Sequence, residues 1–191
     1  MLPQLLEVIA RRVPLSLPDI ELCSHAFEAV SLKKNAVVEA VGEVPQHLYF
    51  IGTGYMRLFY SDADGDEVTT HLGAAHDFLT PFLSFIHQQR APENLACITA
   101  CTVLRISRPR LVALIEASAA FKAFSLLIFE QAIADTSRRA NSLATLTAEQ
   151  RYRQLATARP DLILHVPVNY LASYLGISRE SLSRIRRQVK Q

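Results

Sequence analysis

The sequence predicts an α+β protein, and three observations carry that prediction. Residues 27–106 break into short β-prone runs separated by turns, the texture of a β-sandwich or barrel. From about Pro109 the apolar period becomes helical, with Ala and Leu dominant. The last stretch, 168–187, reads as two short helices joined by a tight turn. A chain of 191 residues, half of them apolar, suffices for one core and a small second domain.

Taken in order, residues 2–25 read as short helices interrupted at Pro14 and Pro18, a lead-in rather than a site. Strands are expected at 36–39, 48–51, 55–60, 67–72, 95–99 and 103–106. The clearest hairpin runs from Met56 to Thr70, with Asp64-Gly65 as its turn. Its Asp residues fail the calcium-loop spacing and no distal Glu closes the set, so a plain turn is expected.

Leu126, Phe129, Ile133, Thr136, Ala140 and Leu143 recur at alternating intervals of three and four. That heptad predicts a long helix paired with its twin, and a second stripe (Phe124, Leu127, Ile128) would face the β domain. Thr147-Ala-Glu-Gln150 is a capping box, so a new helix and a domain boundary are expected there. The helix 148–158 stops before Pro160, and 162–166 reads as a short strand.

Leu171 and Leu175 share one helix face, and small Ala172 admits a close crossing. Gly176 ends that helix, Ile177 plugs the turn, and Ser178 caps a second helix from Arg179. On it Leu182, Ile185 and Val189 form a buried stripe, opposite Arg179, Glu180, Ser183, Arg184 and Arg187. A small helix with a dry back and an Arg-rich front suits the DNA major groove.

Charge distribution agrees. Through Ile115 there are nine Lys/Arg against twelve Asp/Glu, whereas beyond Thr147 eight basic residues meet three acidic ones. A basic module on an acidic body is what a phosphate-backbone binder needs. Cys23, Cys97 and Cys101 form no CxxC pair, which argues for structural thiols in a reducing cytoplasm; Cys97 and Cys101 would share one face of a strand. Neither a signal peptide nor a spanning segment is visible, so no membrane partner is expected.

The segment from Leu171 to Ile185 resembles the helix-turn-helix of the Crp/Fnr family of bacterial transcription regulators. Ser178-Arg179-Glu180 followed by Arg184 carries the likeness most closely. In that family the matching Arg, Glu and Arg touch base edges, which implies the same role for Arg179, Glu180 and Arg184. Arg forks onto guanine O6/N7 and a carboxylate accepts from cytosine N4, so the chemistry agrees independently. Ser183, Arg187 and Lys190 are expected on phosphates.

The central region is similar to the family's β-roll sensor domain through Tyr49–Gly54, Arg57–Tyr60, 64–68 and Asp77-Phe78. The implied layout is a β-roll with N-terminal helices over 1–115, a long dimerisation helix over 116–146, and a helix-turn-helix domain over 147–191 with a truncated wing. Some relatives bind an iron–sulfur cluster through a Cys-rich N-terminus, which is lacking here.

The family captures a cyclic nucleotide with a Gly-Glu pair and an Arg. After Phe78 stand Leu79, Thr80 and Pro81, and counting back from Ile106 puts Ala91 at the Arg position, with Arg90 one early. A one-residue shift turns an extended side chain to the other face. No cofactor is expected, and the candidate pocket (Phe78, Leu79, Phe82, Arg90) is greasy rather than phosphate-binding. His71 and His76 could meet in a β-roll, but the His-x-His pair and Glu of metal-holding relatives are missing, so no metal is expected.

The expected function is a cytoplasmic, homodimeric regulator of a palindromic DNA site, not an enzyme, with RNA polymerase as a further partner. Two alternatives stay open. One is a small-molecule-binding β-roll without DNA readout; the other is a metal-dependent β-roll enzyme using His71 and His76.

Overall fold

The structure, a computed structural model, describes residues 1–189, with the side chain of Val189 excepted. Two helices lead in: α1 (Leu2–Ala10) and α2 (Leu17–Ala26). Pro14 lies between them, but Pro18 sits inside the first turn of α2, where its missing N–H costs nothing. Ser16 caps that helix in a capping box with Asp19.

Eight strands follow: β1 (Glu28–Leu32), β2 (Val37–Glu39), β3 (His47–Thr53), β4 (Met56–Ser61), β5 (Glu67–Gly73), β6 (Phe78–Leu79), β7 (Asn94–Cys97) and β8 (Cys101–Ser107). A short helix, α3 (Phe82–His87), separates β6 from β7. They form two four-stranded antiparallel sheets, ordered β1-β8-β3-β6 and β2-β7-β4-β5. All six expected strands are present within a few residues; β1 and β6 escaped the sequence reading. β1 is mostly exposed, with only Val30 and Leu32 half-buried, and β6 has two residues, so neither makes a marked apolar run.

β3 explains why a strand can read as an unbroken apolar run. Tyr49 and Ile51 face the interior between the sheets with Met56, Leu58 and Val103. Leu48 and Phe50 face the other way, onto α1 and the helices that follow. Both faces are dry, so alternation disappears. Asp64-Gly65 forms the β4–β5 turn: Gly65 has φ of +87°, and Asp62 Oδ1 accepts from the N–H groups of Asp64 and Asp66.

Helices make up the rest of the described residues: α4 (Arg108–Ala117), α5 (Ala119–Thr145), α6 (Ala148–Ala158), α7 (Pro160–His165), α8 (Val168–Leu175) and α9 (Arg179–Val189). Thr147 and Gln150 make the expected capping box. The strand expected over 162–166 is instead the helix α7. Pro160 and Asp161 open its first turn and Leu162 is buried, so the apolar run packs as one helical turn against the C-terminal core.

α5 does not present its heptad as one free seam. Leu126 and Ile133 are 57% and 60% exposed, and Ala140 is exposed beside them. The companion column touches the chain's own elements: half-buried Phe129 meets the Phe82 ring, exposed Thr136 hydrogen-bonds His71, and half-buried Leu143 reaches Gly176. At 3.6 residues per turn the two columns lie a sixth of a turn apart. The chain's own elements embrace the second column and leave the first. Phe124 and Ile128 pack onto the β domain with Leu127, as expected.

Candidate nucleic-acid interface

Gly176 adopts φ +66°, ψ +41°, and its N–H and that of Ile177 return to the carbonyls of Ser173 and Ala172. This is the left-handed stop that lets α9 leave α8 at an angle. Ser178 Oγ accepts from the Ser181 N–H at 3.2 Å and opens α9. Leu182 and Ile185 bury against Leu171, Ala172 and Leu175. Truncating the fully buried Leu182 to Ala would cost about 2–5 kcal/mol.

With that face buried, Arg179, Glu180, Ser183, Arg184 and Arg187 all stand exposed on the opposite side of α9. Its own backbone N–H, and then Ser178, hold the Glu180 carboxyl below its usual range. Arg186 is different: its Nη2 donates to the Ile163 carbonyl at 3.1 Å and ties α9 to α7. Lys190 lies outside the described residues.

Of the four candidate pocket residues, Phe78 and Phe82 pack on one core cluster beneath α5, while Leu79 and Arg90 lie elsewhere. Phe78 packs between Phe50 and Phe124, Phe82 meets Phe129, and Leu79 points between the sheets. Arg90 is exposed, with Nη1 on the Gly42 carbonyl at 3.3 Å. Ala91 is buried at the position where the family's Arg would stand, and nearby Glu93 accepts from Thr70 Oγ1 at 2.5 Å. Burial raises the Glu93 carboxyl.

His71 and His76 do not meet either. His71 lies against α5, whereas the exposed His76 ring stacks on Phe50. Among the described residues no group of three His, Cys, Asp or Glu is arranged to hold a metal, and no helix is long and apolar enough to cross a membrane. Cys97 and Cys101 do not share a strand, since 98–100 turn between the two sheets. Both thiols are nevertheless buried in the interior, where the Cys101 Sγ lies 3.4 Å from the Tyr55 and Thr99 carbonyls.

Several residues given no role by the sequence join the C-terminal helices α6 to α8 to the β domain. Asp77 pairs with Arg159 at 2.9 Å, and the Tyr55 ring stacks on His165 with its hydroxyl 2.9 Å from Nδ1. Arg57 is buried between Phe59 and Tyr170. One signal was available: an Arg inside the apolar run Met56-Arg-Leu-Phe59 needs a partner if that strand is buried.

Residues 29–118 match the cyclic nucleotide-binding domain family. Two antiparallel sheets, a long helix and a C-terminal helical unit together give the architecture of Crp/Fnr-type regulators. Among solved structures, FixK2 from Bradyrhizobium japonicum superposes with a TM-score of 0.73 at 16% identity, over 86% of this chain and 84% of that one. The c-di-GMP-responsive global regulator CLP from Xanthomonas campestris has a TM-score of 0.68 at 23% identity, over 92% of both chains. The catabolite activator protein of Thermus thermophilus has a TM-score of 0.60 at 18% identity, over 96% of this chain and 86% of that one. No curated protein matches by sequence.

Proposed function

We propose that the chain is a sequence-specific transcription regulator that reads a palindromic double-stranded DNA site as a homodimer. The observation that carries this reading is α9: an exposed face of Arg179, Glu180, Ser183, Arg184 and Arg187, backed by buried Leu182 and Ile185. Arg179 and Arg184 would fork onto guanine edges and Glu180 would accept from a cytosine amine. Ser183 and Arg187 would hold phosphates, with Lys190 beyond the described residues adding to them. The exposed α5 column of Leu126, Ile133 and Ala140 would meet its copy across a two-fold axis.

A cyclic nucleotide is not the effector in this reading. Arg90 turns outward, Ala91 is buried, and Glu93 lies beside them. The role is binding and regulation rather than catalysis, carried out in the cytoplasm with RNA polymerase as a further partner.

The test is selection from a random double-stranded DNA library with the wild-type chain and Arg184→Ala. The wild type is expected to enrich a palindrome, with affinity falling steeply as salt rises. Arg184→Ala is expected to lose about 1–3 kcal/mol per contact and to relax one position of each half-site. Enrichment of no sequence at low salt would overturn the reading.

A further inference from the structure

We propose that a latch on the edge strand β5 orients the helix-turn-helix, with Ser173, Arg139 and Arg57 as its positioning residues. β5 is the outer strand of its sheet, so one side of its backbone has no strand partner. α8 lies along that side. Ser173 Oγ accepts from the Thr69 N–H at 2.8 Å and donates to the Glu67 carbonyl at 2.8 Å. One hydroxyl thereby occupies two outward groups that a further strand would otherwise bind.

The Thr69 carbonyl is taken by a third element. Arg139 of α5 donates from Nη2 to Thr69 at 2.9 Å and to the Tyr174 carbonyl at 3.2 Å. Tyr174 lies in the last turn of α8, where carbonyls lack helical donors and a cation is favoured. A single guanidinium group thus joins the β domain, the long helix and the helix-turn-helix. Arg57, 5% exposed, completes the contact: its guanidinium lies 3.8 Å from the Phe59 ring centroid and 3.7 Å from that of Tyr170, and it pairs with Glu67. Tyr170, Ser173 and Tyr174 fall at i, i+3 and i+4, one face of α8.

These contacts orient α8 rather than merely attach it. The apolar cluster beneath, where Ala74 and Ile98 meet Leu162 and Leu171, tolerates sliding because burial is not directional. Hydrogen bonds to strand groups in fixed positions do not tolerate it. α9 follows α8 rigidly through Gly176 and the Leu171–Leu182 packing, and its Arg-rich face stays exposed while α8 is seated. In a two-fold dimer the seat therefore fixes the separation of the two recognition helices, and with it the half-site spacing. Readers of this kind use a separation of about 34 Å or multiples of it.

This proposal rests on DNA reading by α9, and its test separates the two. The full-length wild type, Ser173→Ala, Ser173→Thr and Arg139→Met would be titrated against the selected palindrome and against versions whose half-sites are moved by a base pair or two. Exchange of the Thr69 amide hydrogen would be followed in the same proteins. The wild type is expected to prefer its selected spacing by about tenfold or more. Ser173→Ala and Arg139→Met are expected to cut that preference to about twofold, with base preference within a half-site unchanged and Thr69 exchange accelerated. Ser173→Thr, which keeps the hydroxyl, is expected to retain the preference.

A sharp spacing preference that survives accelerated Thr69 exchange would overturn the latch as the orienting device. Thr69 exchange unaltered by Ser173→Ala would overturn the latch itself. If the wild type binds no DNA, the reading of α9 fails and the role proposed for the latch fails with it. Thr69 exchange would still decide whether α8 is seated.

Discussion

His71 shows how one side chain registers the packing around it. Its Nε2 lies 3.3 Å from Thr136 Oγ1, and its buried Nδ1 has no partner among the described residues. Burial, and then the Arg139 charge, push the imidazole below its usual value. An unfolded His titrates near 6.5, so as pH falls through that value the unfolded chain binds its proton first. Stability present above that pH is therefore lost as pH falls from about 6.5 toward the lower folded value. Burial shifts His47 the same way, and the wild-type slope contains both. His71→Gln is expected to flatten the fall in melting temperature between about pH 7.5 and 5.5. An unchanged slope would mean that His71 titrates normally in the folded chain.

At the level of elements, α5 contributes the sharpest expectation. Ile133 is the centre of its exposed apolar column, with Leu126 one heptad before and Ala140 one heptad after. A charge there has no partner to meet in a paired helix. Ile133→Glu is expected to shift the sedimenting species from dimer to monomer, while Thr136→Ala, in the companion column that touches His71, leaves it dimeric. A dimeric Ile133→Glu would place the interface elsewhere. The seam was legible as a period, but its division into free and embraced columns was not. Both columns satisfy the same heptad, and only the positions of Phe82, His71 and Gly176 decide which is covered. α7 is the converse: Leu162, Ile163 and Leu164 are too short a run for periodicity to separate strand from helix.

Across the whole molecule, the β domain and the C-terminal helices share a core. Ala74 and Ile98 are buried in the same cluster as Tyr152, Leu162, Leu171 and Leu182. The Asp77–Arg159 pair and the Tyr55–His165 stack border it. Two domains joined this way should melt together, so calorimetry is expected to show one transition with matching calorimetric and van't Hoff enthalpies. Two resolved transitions would mean that the shared cluster adds little coupling.

The sequence by itself determined the α+β class, six of the strands, the Asp64-Gly65 turn, the capping box at Thr147 and the α8–α9 unit. Each of these is set by neighbours along the chain: a period, a cap, or a residue suited to positive φ. Tertiary structure alone decided that Leu79 and Arg90 leave Phe78 and Phe82, that Arg57 and Arg139 are drawn inward, and that Ser173 closes the edge of β5. Those contacts join residues far apart in the chain, and no local period encodes which distant carbonyl will be left without a donor.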